Sequence, residues 1–276
     1  MPVFCRPVRP STSAVLLGLA SLAGCFKPAS SRAAAADSVI PGGPYGDAVR
    51  RGRAVLTATR DSLPNHVGNK LRCTSCHLDE GRRETGSWVG VFARYPQYRA
   101  RSGTVETIEY RVNDCFRRSM NGTALDPAGP DMRDIVAYFA FLSRGATVSP
   151  PQAGSASARL QKWASFTGDT AAGAQVFGAS CAKCHGAAGE GTAGAPPLWG
   201  PESYNVGAGM TRVRTAAEFI SRNMPFDTPG TLTDSQAFNV AAYVNAHPRP
   251  DLRGKESDWP NGDPPSDVAY PTRSHH

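Results

Sequence analysis

The sequence predicts an all-α fold of two small, similar helical domains in tandem, joined by a Pro/Ser/Ala-rich linker. Three observations carry this. The pentapeptide Cys-x-x-Cys-His occurs twice, as Cys73–His77 and Cys181–His185, about a hundred residues apart. Each copy lies between an opening and a closing stretch of helical apolar period. Residues 148–158, VSPPQAGSASA, form the clearest break in the chain, and 276 residues suffice for two domains.

The pentapeptide is the attachment signature of a c-type haem. Its two thiols form thioethers to the porphyrin, and its histidine supplies one axial ligand. A zinc site would need its Cys-x-x-Cys pairs roughly 12–20 residues apart, which this spacing excludes. The expected cofactors are two covalently bound haem c, attached at Cys73 and Cys76 and at Cys181 and Cys184, with His77 and His185 on the irons. Seven cysteines are present. Four hold haem, Cys5 and Cys25 lie in the leader, and Cys115 is left over, so no pair remains for a disulfide.

Taken in order, residues 1–24 read as an export signal. Arg6 and Arg9 precede an apolar run from Ala14 to Ala23, too short for a membrane span. Leu22-Ala23-Gly24-Cys25 fits a lipobox, which would leave Cys25 as a lipid-modified N-terminus; cleavage after Ala34-Ala35-Ala36 is the alternative. Either route exports the chain to the periplasm, where haem is attached. Residues 25–44 read as a tether.

The first domain spans 45–147. Its opening helix is expected from Asp47, as cap, to Thr59, and its closing helix from Pro130 to Leu142, with Ile135, Val136, Tyr138, Phe139 and Leu142 as the apolar stripe. The linker is 148–160. The second domain spans 161–250, with Asp169 capping a helix from Thr170 to Gly178 and a closing helix from about Thr233 to Ala246. Ala137-Tyr138 and Ala242-Tyr243 occupy matching places. This is the class-I cytochrome c pattern twice: terminal helices cross and haem fills the core. Domains this small depend on haem for much of their buried surface. Residues 251–276 lack an apolar period and read as a mostly irregular tail.

Charge is uneven. Residues 41–148 hold 16 Lys/Arg against 11 Asp/Glu, a net of +5, whereas residues 161–250 hold 6 of each. The first domain is therefore suited to an anion. A nucleic-acid partner is not expected of an exported dihaem protein with no long Lys/Arg run.

The second axial ligand decides whether a haem carries electrons or does chemistry. For the second haem the best candidate is Met224, 39 residues after His185, with Met210 and His247 as rivals. A thioether raises the potential. For the first haem the candidates are Cys115, Met120 and Met132; Met132 opens the closing helix and is expected to pack. Arg111 to Met120 reads as a helix on which Arg111, Cys115 and Ser119 share one face. A lone cysteine is most often a small buried hydrophobe. Against that, an exported protein seldom keeps a free thiol without a use, and neighbouring arginines favour the thiolate. A thiolate lowers the haem potential and can act as a nucleophile.

Four stretches carry a resemblance: Val67–Gly81 (VGNKLRCTSCHLDEG), Tyr95–Gly103 (YPQYRARSG), Asn113-Asp114-Cys115-Phe116 with Ser119-Met120-Asn121-Gly122, and Trp199-Gly200-Pro201. Together, across residues 45–246, the chain resembles the dihaem thiosulfate dehydrogenases, which couple two thiosulfates into tetrathionate. Their first domain is related to the haem subunit of the Sox complex. The resemblance implies an active site at the first haem with His77 and Cys115 as axial ligands, and Arg101, Arg111 and Ser119 lining the thiosulfate site. It implies His/Met ligation at the second haem; Asn223 stands where some members carry a lysine, so His185 and Met224 are expected. Electrons would pass through that second haem to an external c-type cytochrome or other acceptor, and the reaction could reverse as tetrathionate reduction. A non-catalytic dihaem electron carrier and a Sox-type haem subunit are the alternatives. An electron carrier would not need Cys115, whereas a Sox-type subunit would require a carrier protein.

Overall fold

A computed structural model describes residues 39–146 and 163–273. The leader, most of the tether and the linker lie outside the described residues. Among those described, no helix is long and apolar enough to cross a membrane.

The first unit opens with α1 (Gly43–Thr57) and continues through a two-stranded antiparallel sheet, β1 (Gln97–Arg99) and β2 (Thr104–Glu106), to α2 (Ile108–Arg118) and α3 (Pro130–Leu142). The second contains α4 (Thr170–Ser180), α5 (Val213–Asn223) and α6 (Asp234–Asn245). Among the described residues, this small sheet is the only strand structure beside the helices.

Asp47 does not cap α1. Gly42 is the N-cap and Pro44 lies in the first turn. A proline there needs no N–H partner and has φ preset for a helix, so the helix starts four residues early. Asp47 instead pairs with Arg50 one turn on. The other caps follow side-chain chemistry. Thr107 accepts from the Tyr110 amide at the head of α2, and Asp169 Oδ1 accepts from Ala171 and Ala172 at 2.8 and 3.0 Å. Thr233 and Gln236 form a reciprocal capping box on α6.

In each unit a glycine lets the opening helix press onto the closing one. A Cβ on Gly52 of α1 would stand 1.9 Å from the Asp134 carbonyl oxygen of α3; a Cβ on Gly173 of α4 would stand 2.2 Å from that of Asn239 on α6. Only a bare Cα permits such approach. Around the first crossing, Val49, Ile135, Tyr138 and Leu142 are fully buried, and Arg51 clasps Asp134 with bonds of 2.6 and 2.9 Å. Trp163, Ala217, Phe238 and Ala241 fill the second core.

The two units share a polar, hydrogen-bonded seam. Asn69, 1 % exposed, donates to the carbonyls of Ser119 (2.8 Å) and Ser203 (3.0 Å), and its own Oδ1 accepts from Leu71 N (3.1 Å). Asn205 reaches back to the carbonyls of Arg117 and Arg118 at the end of α2. Tyr204 and Ala208, from the second unit, pack into the first core. The C-terminal segment, irregular as its composition suggests, nevertheless lies firmly on the first unit: Trp259 is 4 % exposed and its amide donates to the Arg101 carbonyl at 2.7 Å.

Candidate haem centres and anion cleft

Both motif histidines make the same contact. His77 Nδ1 lies 2.5 Å from the Gly86 carbonyl oxygen, and His185 Nδ1 lies 2.8 Å from that of Pro196. A carbonyl can only accept, so Nδ1 carries the proton in each ring and Nε2 keeps a lone pair for a metal. His77 also stacks on Trp88, centroids 4.8 Å apart. Burial pushes its basicity down to about 4 and lowers that of His185, so both rings are neutral, as ligation requires.

The second motif opens into a cavity of about 770 Å³. Cys181, Cys184 and His185 form one side; Met224, Met210, Phe177, Ile220 and Val240 contribute the rest of a mainly apolar wall. Met224 is placed there by the end of α5, whose last amide bond it closes to Ile220. His247 is not on this wall; it stacks on Trp199 at 3.9 Å and bonds the Tyr243 carbonyl. Thr74, Ser75 and Cys76 of the first motif line the same cavity, so the two motifs are near neighbours across the seam.

At the first motif, α2 brings Cys115 and Arg111 together, with Arg111 Nη1 3.0 Å from Cys115 Sγ. Cys73 and Cys76 both lie within the field of Cys115; burial pushes their thiols up to about 12 and about 11. The Arg111 guanidinium is held above its ordinary range, first by the Cys115 sulfur and, against the cost of burial, by Asp114. Ser119 ends the same helix one turn beyond Cys115. Met120 and Met132, 4 % and 1 % exposed, are packed in the first core.

Arg101 follows β1. Its Nη1 donates to the Gly207 carbonyl at 2.7 Å and its guanidinium lies 4.9 Å from the centre of the Trp259 ring. Burial and then the neighbouring Arg118 lower its proton affinity. Arg118 is differently placed. It bonds Asp114 on one side and Asp258 on the other, the latter through two bonds of 2.7 and 2.8 Å. The sequence reading missed Arg118, Asp258, Trp259 and Asn69. Only the Asp114/Arg118 spacing of four, on one helix face, was available to signal the first.

Comparison with known proteins supplies the family. Residues 65–148 match the family described as SoxA/TsdA, cytochrome c domain, and residues 168–244 match cytochrome C oxidase, cbb3-type, subunit III. A thiosulfate dehydrogenase of Psychrobacter arcticus is 42% identical over 239 residues, covering 84% of this chain and 72% of that protein. One from Allochromatium vinosum is 42% identical, covering 78% and 83%. The chain belongs to the thiosulfate dehydrogenase family. The solved thiosulfate dehydrogenase (TsdBA) of Marichromatium purpuratum superposes with a TM-score of 0.69 at 38% identity. That match covers 78% of this chain and 49% of the other, so the chain spans about half the length of that protein.

The fold is thus two cytochrome c domains in tandem, and such domains imply haem c. The residues fit the group. At the second motif an apolar cavity of ligand size presents two thiols, an imidazole with a free Nε2 and a thioether. The first motif offers two thiols, an imidazole of the same tautomer and the sulfur of Cys115.

Proposed function

We propose that this protein oxidises two thiosulfates to one tetrathionate in the periplasm, passing two electrons to an external c-type cytochrome or similar acceptor. The observation that carries the reading is a sulfur held against a guanidinium, Cys115 beside Arg111 at 3.0 Å, with Asp114, which pairs with Arg111 at 3.5 Å, also within the field of a second cation, Arg101. In this reading Cys73, Cys76 and His77 hold one haem with Cys115 as its other ligand, and Cys181, Cys184, His185 and Met224 hold a second. Haem c, when bound, supplies one-electron oxidation. The relatives' shared name, thiosulfate dehydrogenase, supports the substrate.

Thiosulfate is a dianion, and two of them must meet. Arg101 and Arg111 bind the sulfonate oxygens through paired N–H groups, while Ser119 donates its hydroxyl. Their charge offsets a repulsion that would otherwise dominate in a poorly solvated cleft. The Cys115 thiolate and the terminal sulfur of the first thiosulfate form an S–S bond with loss of two electrons, leaving Cys115–S–S–SO3⁻. The second thiosulfate attacks the sulfur attached to Cys115. That S–S bond breaks, Cys115 departs as thiolate, and tetrathionate is released. No proton is consumed, and each step is reversible, so the same residues serve tetrathionate reduction. A lipid on Cys25 would tether the enzyme to the membrane surface.

Cys115→Ala tests this. Wild type should produce tetrathionate with an artificial acceptor, and the variant should lose activity by about a hundredfold or more, as for a removed nucleophile. Low-temperature EPR should show a thiolate-ligated low-spin haem in wild type only. A variant that retains both rate and spectrum would make Cys115 a packing residue and the protein an electron carrier.

A further inference from the structure

The C-terminal segment touches two partly buried arginines, Arg118 at the end of α2 and Arg101 after β1, and treats them in opposite ways. Arg118 is gripped by the Asp258 carboxylate through two bonds and by Asp114 on its other side. Asp258 offsets the charge of Arg118, and Asp114 is shared between Arg118 and Arg111, so Arg118 is structural. One residue on, Trp259 meets Arg101. The indole lies 4.9 Å from the guanidinium carbon, and the Trp259 amide donates to the Arg101 carbonyl at 2.7 Å. The remaining bond of Arg101 goes to the Gly207 carbonyl. Ring and carbonyl are both neutral, so they hold the cation without cancelling its charge.

We propose that Trp259 is a positioning residue of the proposed anion site, its indole fixing Arg101 in the orientation that receives the substrate without itself offsetting the guanidinium charge. The proposal rests on the thiosulfate reading of that cleft.

The surroundings show that this placement is enforced. Trp259 has φ +55°, a left-handed backbone that bulky side chains rarely adopt. A Cβ on Gly103, two residues after Arg101, would lie 2.7 Å from Pro260 Cγ, so the hairpin loop and the segment are in close contact. Asn261 Nδ2 donates to the Tyr98 hydroxyl at 2.9 Å, and the Tyr270 hydroxyl bonds Asp258. The segment is therefore pinned on both sides of Trp259. Burial of Trp259 against a cationic group, rather than in either apolar core, is what a positioning role requires and what a packing role does not.

The test compares full-length holoenzymes: wild type, Trp259→Leu and Trp259→Phe, with thiosulfate and an artificial acceptor. Trp259→Leu should raise KM for thiosulfate about tenfold, the scale of a desolvated cation–π contact, and leave kcat within about threefold. Trp259→Phe, which keeps a π face, should return KM to within about threefold of wild type. Haem absorption should be the same in all three. If Trp259→Leu yields no holoprotein, Trp259→Gln, polar and without a ring, is read by the same criteria. A KM for Trp259→Leu within twofold of wild type overturns the proposal, as does a fall in kcat that Trp259→Phe does not restore. A wild type that fails to oxidise thiosulfate overturns the reading of the cleft and this proposal with it. An active wild type with an unmoved Trp259→Leu overturns this proposal alone.

Discussion

Replacing Asn69 by alanine should loosen both domains at once. Asn69 sits four residues before the first haem-motif cysteine and is 1 % exposed. Its amide joins three backbone groups that are far apart in sequence: the Ser119 carbonyl at the end of α2, the Ser203 carbonyl of the second domain, and the Leu71 amide. Alanine removes all three bonds and leaves no replacement donor or acceptor. A made hydrogen bond contributes about 1 kcal/mol net, and a buried group left without its partner costs about 1–3 kcal/mol. Three such groups, partly relieved by relaxation or by entering water, give a loss of about 3–5 kcal/mol. For a chain of this size 1 kcal/mol corresponds to about 2–4 °C, so the melting temperature of the holoprotein should fall by roughly 10 °C. The assay is thermal unfolding followed by circular dichroism, with Asp47→Ala as control. The Asp47–Arg50 pair is exposed, 54% and 48%, and removing it should move the transition by no more than about 2 °C. If Asn69→Ala melts within that same margin, the buried-bond argument is wrong and water or the Cys73 loop satisfies those groups instead.

Three further substitutions probe the helix crossings and the surface charge. Gly173→Ala forces a Cβ to within 2.2 Å of the Asn239 carbonyl oxygen and should cost about 3 kcal/mol or more in thermal unfolding, while Gly178→Ala on the same helix, where a Cβ meets nothing within 4 Å, should be neutral or stabilise by about 0.5–1 kcal/mol. Equal effects at the two sites would refute the crossing argument. Glu80 is held below its ordinary carboxylate range first by its bonds to Arg53, against some burial, and by Arg82. Its contribution is therefore present above the unfolded-state value and disappears as pH falls through the lower folded value. Wild type should exceed Glu80→Gln by no more than about 1 kcal/mol at pH 7, because Arg53 is 47% exposed. The difference should close in the acid range, and a gap that persists to pH 3 would assign the effect to something other than this charge.

What the sequence made legible is local. A Cys-x-x-Cys-His pentapeptide is a contiguous chemical requirement, so both haem motifs are readable without tertiary information. The closing helix Pro130–Leu142 and the cap at Asp169 were readable for the same reason: proline or a short polar side chain and a 3.6-residue apolar period act within one element. Asp47 misled because Pro44, three residues earlier, already supplies a helix start. The Arg111/Cys115/Ser119 face was legible as a helix spacing, whereas the partners of Arg118 were not. Asp258 and Trp259 are 140 or more residues from the side chains they hold, in a stretch with no period at all. A segment whose only regular structure is the short 3-10 turn Lys255–Ser257 gives no sequence signal of where it docks, since its position is fixed by individual hydrogen bonds rather than by a repeating face.

That asymmetry bears on how the site is assembled. Cys115, the proposed nucleophile, and Arg111 lie four residues apart on one helix, so α2 alone sets their separation. The second arginine is set by contacts from elsewhere: Gly207 belongs to the second domain and Trp259 to the segment beyond it. On the proposed reading, the first domain therefore carries the reactive group but not every contact that orients the anion around it. Docking of the second domain does two things with one set of contacts. The loop 205–212 supplies the carbonyl that Arg101 needs and, three residues later, places Met210 on the wall of the second cavity. A displacement of that loop would be felt in both places. On the proposed reading, the anion site and the second haem centre therefore share one short stretch of backbone, from Gly207 to Met210.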